Sequence, residues 1–319
     1  MVWLNPAGLL VALCVALLLE CCWGEPRRYH PLVGFGRLAN MLALRLNRGA
    51  GLLLRGGLAW LVLVGGALGL FIALRWQVMQ FSPLLAYALD AWALWFSLGA
   101  NSLLAHVAAI GAPLLAGDLP LARAQLQKIV SRDCQALDAS QVAAGAVESC
   151  LENGADAIFA SLFYFMLLGG AGALVHRLAN TLDAMWGYKT PQWQRFGCCA
   201  ARMDDALNWI PARLCALSYA LLGQTRLAFM AWRQQAPLWD SPNAGPVMAA
   251  GAGALGIRLG GAAPYHGQIE LRPELGFGPL ASAPDITRSI QLIQTTLACW
   301  LGGMVLVLFF AMVIHSGRF

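Results

Sequence analysis

Four stretches of this chain carry no formal charge over the length that a lipid bilayer demands: residues 1–19, Gly56–Leu74, Ala91–Gly117 (His106 aside) and Ser289–Ile314. A helix needs about 20 predominantly apolar residues to cross the hydrocarbon core, so each run predicts a membrane span. The 319 residues could make about two soluble domains. With 59% apolar and 12% charged residues, they read instead as one membrane-embedded domain, 1–319. The expected fold class is all-α: a polytopic integral membrane helical protein with motif-bearing cytoplasmic loops and re-entrant helices. The first run has no basic segment before it, and its first positive charges, Arg27 and Arg28, follow it. It reads as a retained helix rather than a cleaved signal.

Charge sets the expected topology. The loop Glu20–Arg55 holds Arg27, Arg28, Arg37, Arg45, Arg48 and Arg55 against Glu20 and Glu25, which places it in the cytoplasm. Spans are expected near 2–19, 56–74, 84–110 and 290–314, with a short turn from Arg75 to Pro83. Residues 111–155 are then cytoplasmic and include a polar helix. Segments 157–175 and 207–225 are read as re-entrant or surface-lying helices in preference to crossings. Two crossings would put Lys189, Arg195 and Arg202 outside, against the charge rule, whereas irregular backbone at depth is tolerated under protein cover.

Net charge is +5, and among 21 basic residues only Lys128 and Lys189 are lysines. The arginines lie in loops beside spans, so they read as topology signals and not as a nucleic-acid surface. The nine cysteines form no CxxC pair and read as small buried hydrophobes.

Eight of the sixteen acidic residues fall between Asp133 and Asp205. Charge concentrated in a lipid-soluble chain marks a site. Glu148, Glu152 and Asp156 recur every fourth position, so one helix face carries all three. That ladder makes sense opposite a cation or basic groups. Magnesium suits it, because this ion takes one or two carboxylates plus substrate phosphates; pairing with Arg123 or Arg132 is the structural alternative. Gly154 is expected to bend the ladder before Asp156. SRDCQALD (131–138) offers Arg132 as a bidentate phosphate ligand beside Asp133, or simply a helix cap at Asp138 or Ser140.

The block from Asn180 to Arg213 combines Asp183, Lys189, Arg202, Asp204, Asp205, Asn208 and Arg213. Asp204 and Asn208 share a helix face with Asp205 beside them, and Pro211 is expected to break the helix before Arg213. Oxygen donors next to phosphate-binding cations suit a magnesium–nucleotide site. GEPRRYHPLVGFGR (24–37) is a binding loop or a membrane-surface turn. GAGALG (251–256) matches a dinucleotide fingerprint formally, but no strand precedes it; its small residues read as helix-packing positions. No P-loop, HExxH or Ser-His-Asp pattern is present.

Taken together, GEPxxxHPLVGFGR, SRDxxxLD, ESxxENxxD, NTLDAMxGYK, ARxDDxxNxIPAR and SPNAGxxMAAxAGALGxRLGGxxxYHG resemble the CobD/CbiB family of cobalamin biosynthesis, in order, from about residue 18 to 268. The resemblance implies an adenosylcobinamide-phosphate synthase of the cell inner membrane with its site facing the cytoplasm. Its corrinoid substrate, adenosylcobyric acid, would be joined to (R)-1-amino-2-propanol or its O-phosphate with ATP and magnesium, in contact with lipid and with other cobalamin-assembly enzymes. On that reading Asp183, Lys189, Asp204, Asp205 and Arg213 are catalytic. Arg27, His30, Arg37, Arg132, Arg202, Asn208 and Asn243 bind substrate or phosphate, and Glu148, Glu152, Asp156, Asp204 and Asp205 supply metal ligands. Trp186, Tyr188 and Trp193 are flat contacts for the corrinoid or interfacial anchors. The chain departs from the family pattern at Glu20, Ser131, Cys134, Ser161 and Ala184, and none of these removes a charge. A non-catalytic membrane relative is the competing reading; a transporter with an Asp90–His106–Asp156 relay is disfavoured, because most charge lies in loops.

Overall fold

The computed structural model describes residues 5–25, 31–265 and 268–316, and 77% of these are helical. In chain order the helices are α1 (Pro6–Trp23), α2 (Pro31–Leu46), α3 (Leu52–Trp60), α4 (Gly66–Phe81), α5 (Pro83–Ser97), α6 (Ala100–Leu115) and α7 (Leu119–Leu126). They continue with α8 (Ala139–Gly154), α9 (Ser161–Leu168), α10 (Gly170–Trp186), α11 (Cys198–Leu222), α12 (Thr225–Gln235), α13 (Ala244–Leu255) and α14 (Ala283–Ser316). π-helical turns at Leu61–Gly65 and Ala155–Ala160 join α3 to α4 and α8 to α9.

Local chemistry sets the helix ends. Asn5 Oδ1 accepts the Ala7 amide at 2.9 Å, ahead of Pro6 in the first turn. Asp138 caps α8 in a reciprocal box with Gln141, with bonds of 2.8 and 2.9 Å. Gly169 stops α9 by taking a φ of 63°, which side-chain-bearing residues avoid.

Among the described residues, five helical segments are long and apolar enough to cross a membrane: Pro6–Trp23, Leu52–Phe81, Pro83–Leu115, Ala139–Leu168 and Ala283–Ile314. Three of them contain the expected segments 56–74, 84–110 and 290–314, and Pro6–Trp23 covers residues 6–19 of the first, whose start lies outside the described residues. The fifth starts well before 157–175 and stops at Gly169, so the expected segment is divided between α9 and α10. The turn expected over Arg75–Pro83 is corrected as well: α4 continues to Phe81 and Arg75 is buried in it. What draws Arg75 in is Asp90 of α5, whose carboxylate accepts from Nε at 2.9 Å and Nη2 at 2.8 Å. Asp90 also accepts the Gly170 amide at 3.1 Å, so it is a structural anchor and not a relay group.

Pro211 does not end α11, which runs through it. A proline there deprives the Leu207 carbonyl, four residues back, of its helical donor. The Tyr164 hydroxyl donates to that carbonyl at 2.8 Å, so the vacant acceptor is satisfied and the helix persists.

The chain divides into two compact units. One comprises the chain up to Gly99, Ala160–Asn208 and the segment from Gly303. Its core joins Leu63, Val64, Phe71, Leu182, Trp186 and Phe196. α1 and α5 touch so closely that a methyl group on Gly8 would lie 2.0 Å from the Tyr87 ring.

The other comprises Ala100–Phe159 and Trp209–Gly302. At its centre α13 is buried along its whole length. A Cβ on Gly253 would fall 2.6 Å from Ala228 Cα of α12, which bears out the packing role of the GAGALG residues. A departure from an all-helical chain follows α13: strands β1 (Arg258–Tyr265) and β2 (Gln268–Gly276) pair antiparallel, Arg258 opposite Gly276, with a bulge between Gly260 and Ala262. Gln235 closes the end of β2 by accepting the Gly276 amide at 2.6 Å and donating to its carbonyl at 3.2 Å.

Candidate active site

In the first unit, helical spacing gathers one polar centre. His176, Asn180 and Asp183 lie at i, i+4 and i+7 on α10, and Asp204 and Asn208 at i and i+4 on α11. Asn208 Nδ2 donates to Asp204 Oδ2 at 3.0 Å and Asn180 Nδ2 to Asp204 Oδ1 at 3.3 Å. On its other side Asn208 Oδ1 is 2.9 Å from His176 Nε2, while His176 Nδ1 is 3.4 Å from the Ser161 hydroxyl. The Tyr164 ring stacks on the imidazole at 5.6 Å, and Asp204, Asn208 and His176 are buried.

This packing perturbs the carboxyls. Burial, then the neighbouring charges of Asp183 and Asp205, pushes Asp204 up to about 7 against the pull of the two amides. Burial and the Asp205 charge push Asp183 up to about 6. Asp205 is raised by burial, opposed by Lys189. Burial lowers His176 to about 4, which keeps the imidazole neutral at physiological pH. The site therefore holds carboxyls able to exchange protons near neutrality.

Gly187 explains part of the NTLDAMxGYK motif. It ends α10 by donating its amide to the Asp183 carbonyl at 2.7 Å. A Cβ there would lie 2.0 Å from Asp183 Oδ1, so only glycine leaves that carboxylate its place.

The other expected residues separate from this centre. Arg202 and Arg37 are exposed, and Arg27 and His30 lie outside the described residues. Trp186 is fully buried and packs its edge on Phe196 at 5.1 Å, so it is a core residue and not a corrinoid contact; Tyr188 is exposed and Trp193 half-buried. Asn208 is likewise an internal bridge and not a surface ligand for phosphate.

In the second unit, Arg213 Nη1 donates to the Trp209 carbonyl at 2.8 Å and to Asn243 Oδ1 at 3.1 Å, while its Nη2 donates to the Pro242 carbonyl at 3.1 Å. Its guanidinium lies 4.4 Å over the Trp209 ring. The IPAR and SPNAG motifs are thus stitched together, and Arg213 and Asn243 act as a brace. Glu148 meets Arg132 and Arg272: Arg272 donates to Oε2 and Oε1 at 3.0 and 3.2 Å, and the Gly260 amide to Oε1 at 2.8 Å. Both oxygens are engaged, which removes Glu148 from the expected cation ladder in favour of arginine pairing. The π turn also takes Asp156 out of α-helical phase with Glu152. Among the described residues no three His, Cys, Asp or Glu side chains are grouped to hold a metal ion. A cavity of about 270 Å³ opens beside the arginines, lined by Arg132, Arg258, Arg272 and Glu274 with Gly260 and Gly261.

Sequence reasoning missed His176 and Arg272. His176 stands four residues before Asn180 in an otherwise apolar turn, which is the spacing that could have revealed it. Arg272 carries no comparable signal, since its partner lies 124 positions away.

Buried carboxyl, amide and imidazole groups gathered within apolar helices define a polytopic membrane protein with a built polar centre. The family described as CobD/Cbib protein matches residues 13–293. The chain therefore belongs to the CobD/CbiB family of cobalamin biosynthesis proteins. It is 50% identical over 288 residues to the cobalamin biosynthesis protein CobD of Stutzerimonas stutzeri, covering 90% of this chain and 93% of the relative. Identity to CobD of Chromobacterium violaceum is 48%, over 90% and 92% of the two chains. Identity to the cobalamin biosynthesis protein CbiB of Salmonella arizonae is 33%, over 92% and 99%. No solved structure matches the chain.

Proposed function

We propose that this protein is an ATP-dependent carboxylate–amine ligase that joins the propionate carboxyl of adenosylcobyric acid to (R)-1-amino-2-propanol or its O-phosphate. The product is adenosylcobinamide or its phosphate. The observation that carries this reading is the convergence of Asp183, Asp204 and Asp205, with Lys189 beside Asp205, from two family motifs into one polar centre. Its place in the cell inner membrane, with this centre facing the cytoplasm, follows from the arginine-rich loop that precedes Leu52.

Amide formation from a carboxylate is uphill in water, so the carboxylate needs activation. A propionate oxygen attacks the γ-phosphorus of ATP, the bond to ADP breaks, and an acyl phosphate results. Asp183, ionised above about pH 6, takes a proton from the substrate ammonium. The freed amine attacks the acyl carbon, the carbon–oxygen bond breaks, and the departing phosphate carries away the nitrogen's second proton. Lys189 and the exposed Arg202 bind phosphoryl oxygens and stabilise the charge that develops there.

Magnesium enters with the nucleotide. The fit rests on the donor set: Asp204 and Asp205 are neighbours on α11, and after burial the charges of Asp183 and Asp205 push Asp204 up, as where a cation belongs. Asp204 and Asp205 are its proposed ligands, one or two carboxylates sufficing beside phosphate oxygens. Bound there, it would offset charge on the phosphates.

The test is turnover by purified protein in lipid with adenosylcobyric acid, MgATP and each amine in turn, following corrinoid mass and ADP. Amide product with matched ADP supports the ligase and names its amine. A folded sample that binds neither nucleotide nor corrinoid favours the non-catalytic relative.

A further inference from the structure

Asn208 sits between two groups that ask opposite things of its amide. Its oxygen and nitrogen ends are nearly alike in shape, and a half-turn about the last side-chain bond exchanges them. Facing Asp204, the nitrogen end stabilises a carboxylate, whereas the oxygen end would repel it. Nothing in Asn208 itself decides between these. An ionised Asp204 favours the nitrogen end, and the group on the far side reinforces or opposes that choice; that group is His176, with Nε2 at 2.9 Å from Oδ1.

The imidazole is in turn oriented from behind. The Ser161 hydroxyl lies 3.4 Å from Nδ1, with the Ser97 carbonyl at 3.3 Å as another acceptor for its one proton, and the Tyr164 ring holds the imidazole plane by stacking at 5.6 Å and 15°. A neutral imidazole that meets the Asn208 oxygen through Nε2 donates there and leaves Nδ1 bare. Burial and the nearby Arg177 charge both keep it neutral, so one donor and one acceptor remain. With Asn180 supplying the other amide, each Asp204 oxygen receives one donor and keeps a lone pair for a ligand.

We infer that His176 is a positioning residue: its Nε2–H fixes the Asn208 amide so that Nδ2 meets Asp204, presenting that carboxylate to substrate in one set orientation. The ligase reading enters only in what Asp204 then does. A simple packing role for His176 would require its shape and not its donor.

The test uses the full chain in lipid nanodiscs with nitrogen-15-labelled histidine. The imidazole signals that vanish in His176→Gln should belong to a neutral ring, with Nε2 protonated and Nδ1 bare. A doubly protonated ring, or a proton on Nδ1, would overturn the inference whether or not the protein turns over. In the amide-forming assay, His176→Leu should lose about 100-fold in kcat with KM for the corrinoid unchanged, as expected of a misplaced catalytic group. His176→Gln, whose amide can still donate to Asn208, should recover to within about threefold. Full activity in the leucine variant would overturn the proposal. So would a glutamine variant that melts like wild type yet loses as much activity as the leucine one. Should the leucine variant not fold, the glutamine variant and the imidazole spectrum decide. Wild-type protein that makes no amide but shows the expected imidazole would reject the ligase and keep the positioning role.

Discussion

Arg272 closes on Glu148 with two hydrogen bonds, 3.0 and 3.2 Å, from a strand 124 positions further along the chain. Arg132 approaches the same carboxylate, and all three side chains are almost fully shielded. Removing the acid would leave two guanidinium groups buried without a counter-charge. Glu148→Ala should therefore destabilise the fold by about 3–5 kcal/mol, read as a lowered melting temperature in detergent. A variant that melts with wild type would show that solvent reaches the cluster.

Arg75 and Asp90 make the complementary case in the first unit, where the pair lies within apolar helices. Asp90→Asn strands the arginine and should cost about as much as breaking any buried pair, roughly 3–5 kcal/mol. Replacing both partners by apolar residues of similar volume, Arg75→Met with Asp90→Leu, should recover most of that loss. The Gly170 amide would still lack its acceptor, so recovery stops short of wild type. A double variant no better than Asp90→Asn would contradict this account.

These two pairs show where the sequence is legible and where it is not. Uncharged runs and i, i+4 spacing are local signals, and they located four of the long apolar helices and the Asp204–Asn208 face. Arg75 read as a loop residue because charge beside a span normally marks its end; only the distant Asp90 makes burial tolerable. Pro211 read as a stop because its rescuer, the Tyr164 hydroxyl, lies on another helix. Of the ladder, Glu148 and Glu152 lie on α8 while the π turn displaces Asp156, and spacing carries no information about Arg272, which commits Glu148. The hairpin escaped notice because Gly260, Gly261 and Pro264 lack the alternation of a half-buried strand.

Gly187 offers a test of the carboxylate's placement. A methyl group there would meet Asp183 Oδ1 at 2.0 Å and the Asp183 carbonyl at 2.8 Å. Gly187→Ala should therefore displace the proposed base and lower kcat by about 100-fold, with a smaller effect on nucleotide binding. Equal turnover in wild type and Gly187→Ala would remove Asp183 from the chemistry.

Asp204 joins stability to pH with a sign opposite to that of a salt-bridged acid. Its carboxyl holds a proton up to about 7 in the fold, against about 4 in an unfolded chain. Between those values the folded state binds more protons, so stability is greatest at the acid end and is lost as pH rises. After burial, the Asp183 charge adds to this rise. Asp204→Asn removes the charge at nearly constant shape, so it should flatten this dependence. Relative to wild type it should gain on the order of 2 kcal/mol at pH 8 and little at pH 5. The same change should cut turnover by about 100-fold or more, because a proposed ligand of the nucleotide's magnesium is lost. Apparent melting temperatures at the two pH values, measured beside amide synthesis, separate these effects. A variant less stable than wild type at pH 8 would mean that the carboxylate is stabilised where it sits, and that its neighbours attract it more than they repel it.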